Sequence, residues 1–67
     1  IMNYFTVFAL YHGMVKTVLL QEDTPFASVA LEKMQELAKR KNVTNIRLWS
    51  NVYNCWVPTR SLDVVHV

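Results

Sequence analysis

The most reactive side chains in this chain are one cysteine and two histidines. Cys55 could supply a nucleophile, and His12 or His66 could supply a base. Asp63 could orient a histidine, which would complete the residue types of a hydrolytic triad. No local motif joins these residues, however, since His12 lies in a predicted turn and His66 is the penultimate residue. We therefore predict no catalytic residues and expect a protein that is not an enzyme.

Metal and phosphate sites are not indicated either. Zinc sites favour four nitrogen or sulfur ligands at paired spacings, and Cys55 and the two histidines are far apart in sequence. Gly13 is the only glycine, which excludes a glycine-rich phosphate loop. Glu32 and Glu36 lie one helical turn apart on a predicted exposed helix face, where paired carboxylates normally form a charged surface rather than an acid–base pair. We predict no metal and no cofactor.

Basic and aromatic residues lie close together in the second half of the chain. The set comprises Lys39, Arg40, Lys41, Arg47, Trp49, Tyr53 and Trp56, with Trp49 or Tyr53 as the expected stacking residue. Such sets bind single-stranded nucleic acid, because bases stack on aromatic rings and phosphates pair with Lys and Arg. The net charge is only +2, and a helix C-terminus also favours positive charge. Binding of RNA or DNA is therefore our alternative function.

Length and composition indicate one small folded domain, which we assign to residues 2–67. The chain has 67 residues, of which 52% are hydrophobic and 18% charged. This balance is unlike that of disordered segments, which are rich in charge and poor in aromatic residues. A lone cysteine favours a reducing compartment, and no apolar run approaches the roughly 18 residues of a membrane span. We expect a cytoplasmic protein that does not contact a membrane.

A single amphipathic helix is predicted at about residues 25–41. Thr24 suits the N-cap, Pro25 the first helical position and Asn42 the C-cap. Apolar residues recur at helical spacing and form one stripe, which comprises Phe26, Ala27, Ala30, Leu31, Met34, Leu37 and Ala38. This stripe should pack on a sheet.

The remaining segments predict strands and turns. Strands rich in aromatic and β-branched residues are expected at 3–11, 15–21, 44–50 and 62–67, with turns at 51–54 and 58–61 and a short extended piece at 55–57. The order ββαββ predicts an α+β fold, with one helix packed on a sheet of about four strands. This order resembles the β-grasp fold of ubiquitin-like domains, which implies a parallel pairing of the first and last strands. A plain antiparallel sheet backed by the helix is the alternative.

The first two strands carry apolar side chains on both faces. A two-residue turn at His12 and Gly13, with a positive φ at Gly13, would join them. The side that we assign to the helix, called the covered face, then gathers Phe5, Val7, Ala9, Tyr11, Met14, Val18 and Leu20. The opposite side, called the open face, gathers Tyr4, Phe8, Leu10, Val15 and Leu19. A half-exposed antiparallel sheet normally alternates apolar with polar residues, so this open face is too apolar for water alone.

The assignment of residues to the two faces predicts both the core and the function. The core should consist of Phe5, Val7, Val18, Leu20, Phe26, Ala30, Leu31, Met34, Leu37, Ile46 and Leu48. A contiguous apolar patch on a small protein usually marks an association surface. We therefore expect a non-enzymatic interaction module, either a homodimer or an adaptor or inhibitor of another protein, that binds through the open face. Trp49 is a further predicted contact, because Trp often dominates binding energy.

Overall fold

The computed structural model describes residues 2–58 of the chain. It contains β1 (Phe5–His12), β2 (Thr17–Thr24), α1 (Ala27–Ala38), β3 (Val43–Ser50) and β4 (Cys55–Trp56). The strands form one sheet in the order β2-β1-β3-β4, and each neighbouring pair is antiparallel. The predicted α+β fold with one helix on a four-stranded sheet is confirmed. The predicted strand at 62–67 lies outside the described residues.

The plain antiparallel sheet is the arrangement that forms. β1 has β2 along one edge and β3 along the other, and both are antiparallel to it. The β-grasp fold needs a parallel neighbour along its first strand, and here neither edge of β1 is available for one. That part of the β-grasp resemblance is therefore wrong.

The turn between β1 and β2 has four residues, Gly13–Lys16, instead of the predicted two. The Gly13 N–H donates to the Lys16 carbonyl oxygen at 3.0 Å, and Gly13 does not have a positive φ. His12 stays in β1 because its N–H donates to the Asn42 carbonyl oxygen of the neighbouring segment at 2.7 Å. The predictions that Met14 lies on the covered face and Val15 on the open face are wrong, since both are fully exposed in this turn.

The pairing register of the hairpin differs from the prediction by four residues. Tyr11 pairs with Val18, whereas the predicted turn would have paired it with Met14. Because side chains alternate with a period of two along a strand, a shift by an even number keeps each side chain on its face. The predicted faces of the two strands are therefore retained although the predicted register is wrong.

The helix is shorter than predicted at both ends. Phe26, with an extended backbone (φ −113°, ψ 127°), is the N-cap, and the predicted N-cap Thr24 is the last residue of β2. The Thr24 hydroxyl accepts a hydrogen bond from the Phe26 N–H at 3.2 Å, which stabilises the turn that precedes the helix. Lys39 is the C-cap, so the prediction for Asn42 is also wrong. At 12 residues, α1 is the longest helix in the described part of the chain, and no helix there is long and apolar enough to cross a membrane.

The core lies between α1 and the covered face. Its buried residues are Val7, Ala9, Ala30, Leu37, Val43 and Leu48, and Phe5, Tyr11, Leu20, Met34, Ile46 and Val57 pack against them. Two predicted core residues are exposed instead: Val18 because it lies on the edge strand β2, and Phe26 because it precedes the helix.

A bulge in β3 adjusts the sheet near its middle. Phe8 pairs with Arg47, but Leu10 pairs with Thr44, so β3 contains one residue more than β1 over this stretch. Asn45, with a φ of 55°, lies in the left-handed region at this irregularity, as bulge residues often do. The bulge places Val43 on the covered face opposite Tyr11.

Candidate interaction surface

The reactive side chains named from the sequence do not form a site. Cys55 pairs with Ser50 opposite the start of β1, whereas His12 ends β1. The length of β1 separates these two places by about 23 Å. Asp63 and His66 lie outside the described residues. Within residues 2–58, no group of three or more His, Cys, Asp or Glu side chains is placed to hold a metal ion.

Three aromatic rings form the centre of the open face: Phe8 of β1, Trp49 of β3 and Trp56 of β4, which we call the aromatic cluster. The Trp56 ring meets the Phe8 ring edge to face, with centroids 5.5 Å apart and planes at 72°. It meets the Trp49 ring in the same way, at 5.0 Å and 81°. Each such pair contributes about 0.5–1.5 kcal/mol beyond the area that it buries, so the rings fix one another's positions.

A four-residue turn places the two tryptophans side by side. Ser50 pairs with Cys55 and Trp49 with Trp56, so the side chains of the tryptophans leave the sheet on the same face. The turn is closed by Asn54, which has a φ of 54°, and by a hydrogen bond of 3.1 Å from the Tyr53 N–H to the Ser50 hydroxyl. The sequence pattern predicts this turn, but Trp56 is not among the predicted protein-binding residues.

Arg47 extends the aromatic cluster with a positive charge. Its guanidinium carbon lies 4.0 Å from the centroid of the Trp56 ring, which is a cation–π contact. The ion pairs among residues 2–58 are those of Lys33 with Glu22 and with Glu36, so no carboxylate of the described chain neutralises Arg47. The guanidinium lies against the ring, and no hydrogen bond or ion pair to another residue of 2–58 occupies its donors.

Polar side chains border the aromatic cluster at both ends of the sheet. At one end the Thr6 hydroxyl donates to Asp23 Oδ1 at 2.6 Å and accepts from Asn51 Nδ2 at 2.9 Å. At the other end His12 Nδ1 lies 3.2 Å from the Thr17 hydroxyl and Nε2 lies 2.6 Å from the Thr44 hydroxyl. An apolar centre with a polar, hydrogen-bonded border is the usual anatomy of a protein interface.

The structure places most of the predicted protein-binding residues on this surface. Phe8, Leu10 and Trp49 are half-buried on the open face, and Leu19 is 57% exposed on β2. Tyr4 precedes β1 and lines an apolar groove of about 440 Å³ beside the β3–β4 turn. Val15 lies away from the sheet in the β1–β2 turn and is 95% exposed.

The residues of the alternative nucleic-acid site are dispersed. Lys39, Arg40 and Lys41 follow α1, and the Arg40 guanidinium lies 5.5 Å from the Tyr11 ring on the covered face. Arg47 lies on the open face instead. Tyr53 is 82% exposed in the β3–β4 turn, at the opposite end of the sheet from Lys39–Lys41, which we call the basic run. These side chains do not form one continuous patch.

The chain matches no protein-family model, no curated protein and no solved structure. A functional proposal consequently depends on the geometry of the open face.

Proposed function

We propose that this protein is a non-enzymatic interaction module that binds a partner protein through the open face. The observation that carries the proposal is the aromatic cluster, which lies on the side of the sheet opposite α1 with Trp56 41% exposed. Contiguous apolar patches of this kind mark association surfaces, and Trp and Arg are enriched among the residues that dominate binding energy. The proposal includes a cytoplasmic location, which the lone cysteine favours.

Arg47 indicates the chemistry of the partner. A guanidinium stacked on an aromatic ring still presents its planar set of donors, which suits a carboxylate. The partner surface should therefore be apolar and carry an Asp or Glu side chain that reaches Arg47. A twofold contact centred on the aromatic cluster would instead bring two Arg47 side chains together, and like charges oppose such a contact. An adaptor or inhibitor of another protein is thus favoured over self-association through this face.

Nucleic acid remains the alternative occupant of the open face. Arg47 and Trp56 together could hold a phosphate and a stacked base. The basic run and Tyr53 lie elsewhere, so the contact with a nucleic-acid backbone would be short. Binding that weakens steeply with salt would identify this occupant, because displaced counterions give the affinity a strong salt dependence.

The test first immobilises the protein and passes over it an extract of the cells that produce it. A partner that is retained is then purified for binding measurements. Phe8→Asp places an uncompensated charge in the aromatic cluster and should weaken binding at least a hundredfold. Arg47→Glu changes an exposed side chain, leaves the fold intact and should weaken binding at least tenfold. Val15→Asp adds the same charge as the Phe8 variant away from the sheet and is the matched control.

Calorimetric titration of the purified pair measures these affinities. The proposal would be contradicted if the wild type retained no protein, or only proteins that the Phe8→Asp variant retains as well. Equal weakening by Val15→Asp and Phe8→Asp would also contradict it, since the effect would then not depend on the open face.

A further inference from the structure

Within the part of the chain that the structure describes, β2 is an edge strand of the sheet. Among residues 2–58 its outer side has no neighbouring strand. Its eight residues pair with β1 without any register shift and include no proline, and most of its side chains are exposed. Natural edge strands usually carry a bulge, a proline or an inward-pointing charge that prevents pairing with another chain. The central part of β2, residues 17–21, has none of these, and the first charged side chain of the strand is Glu22, opposite Val7 on the covered face.

The hydrogen bonds of the hairpin show which backbone groups of β2 point outward. The Gly13 N–H donates to the Lys16 carbonyl oxygen, so this pair is a hydrogen-bonded one. Such pairs alternate along an antiparallel ladder, so Val18 and Leu20 bond to β1 while Thr17, Leu19 and Gln21 direct their N–H and C=O groups to the free edge. The His12 N–H agrees with this alternation, because it points away from β2 and donates to the Asn42 carbonyl oxygen.

We propose that β2 pairs antiparallel with β2 of a second copy of this chain, across a twofold axis at Leu19. The outward backbone groups of residues 17, 19 and 21 would form the hydrogen bonds of the new ladder. In this register Leu19 lies opposite Leu19, Thr17 opposite Gln21, Val18 opposite Leu20 and Lys16 opposite Glu22. Each apolar side chain meets an apolar one, and each polar side chain meets a polar one.

Charge complementarity supports this register. Lys16 is the last residue of the β1–β2 turn and Glu22 lies in β2. They are an even number of residues apart, so across the axis they would meet on the same side of the sheet, at two symmetric places. Lys16 makes no ion pair within residues 2–58, and the Glu22 side chain is exposed while it contacts Lys33 at 3.1 Å. A register shifted by two residues would place Val18 opposite Glu22 in one direction and Lys16 opposite Leu20 in the other. Either shift separates the charges and is disfavoured.

The contact uses the strand edge and leaves the open face uncovered. It joins two four-stranded sheets into one sheet of eight strands, with both aromatic clusters on the same side. The dimer would therefore present two copies of the proposed binding surface, and a partner with two matching sites would gain affinity from their linkage. The inference goes beyond the proposed function and does not depend on it.

The test compares two charge reversals in the full-length chain, Lys16→Glu and Glu22→Lys, by sedimentation over a concentration series. Wild type should be a dimer, and each variant alone should need at least tenfold more protein to dimerise, because like charges then meet at both places. An equimolar mixture of the two variants should recover the wild-type affinity, since each new carboxylate meets a new ammonium group.

Amide hydrogen exchange gives a second, independent measurement. The amides of Leu19 and Gln21 should become protected as the wild-type concentration rises, whereas those of Val18 and Leu20 are protected at every concentration. A monomeric wild type, or variants that dimerise as wild type does, would overturn the proposal. A monomer with a protected Leu19 amide would show that another segment of the same chain occupies the edge, and would overturn it too.

The outcome also separates this inference from the proposed function. If Phe8→Asp dissociates the dimer and the charge reversals do not, the edge contact is overturned and the open face is the surface that self-associates. A dimer that responds to the charge reversals alone would support the edge contact and leave the open face available for a partner.

Discussion

Replacement of Trp56 by alanine should lower the free energy of unfolding by about 3 kcal/mol. Trp56 forms two edge-to-face ring contacts, each of which contributes about 0.5–1.5 kcal/mol, and an exposed cation–π contact contributes about 0.5–1 kcal/mol. More than half of the side chain is also removed from water. At about 25 cal/mol per Å² this burial contributes a further two or more kcal/mol, and it overlaps with the ring contacts.

Urea unfolding followed by far-UV circular dichroism measures this change without relying on tryptophan fluorescence. A domain of this size has a free energy of unfolding of about 3–10 kcal/mol, so the loss is a large fraction of the total. Trp56→Phe keeps a ring beside Phe8 and should lose less than half as much. Tyr53→Ala, in the adjoining turn, should stay within about 0.5 kcal/mol. A Trp56→Ala variant as stable as Tyr53→Ala would refute the packed aromatic cluster.

Three further substitutions, two of them with a control variant, test the fold by the same unfolding measurement. Leu37→Ala, at a residue only 3% exposed, should cost about 2–5 kcal/mol. Val29→Ala, at a residue 45% exposed on the same helix, should cost less than half as much, and equal losses would contradict the assigned helix face. Asn45→Val should cost about 1–2 kcal/mol, because the φ of 55° is unfavourable for a branched side chain, and Asn45→Gly should be neutral. Equal stabilities of the two variants would contradict the bulge. Thr6→Val removes a buried hydroxyl with two hydrogen-bond partners and should cost about 1–3 kcal/mol, and an unchanged stability would contradict that network.

Periodicity alone was enough to predict the two faces of the sheet. Phe8 and Leu19 are on the open face as predicted, although the predicted turn had the wrong length, because the error in register was an even number of residues. The predicted turn at 51–54 also contained the information needed to find Trp56. A four-residue connection pairs Trp49 with Trp56, and paired residues share a face.

Features that depend on tertiary contacts could not be predicted in this way. His12 remains in a strand because Asn42, distant in sequence, accepts its N–H, whereas the local Gly13 signal favoured a tighter turn. Asn45 adopts a left-handed φ inside a segment that alternates like a regular strand. Phe26 belongs to the apolar stripe by spacing, yet the chain is still extended there and its side chain is exposed.

The two tryptophans test most directly whether the open face binds a partner protein. Both tryptophans of the chain lie in the aromatic cluster, so a protein labelled with 5-fluorotryptophan reports this face alone in its fluorine NMR spectrum. Addition of the purified partner should shift both signals, in wild type and in Val15→Asp alike. A bound partner that leaves both signals unchanged would show that binding occurs elsewhere and would contradict the account.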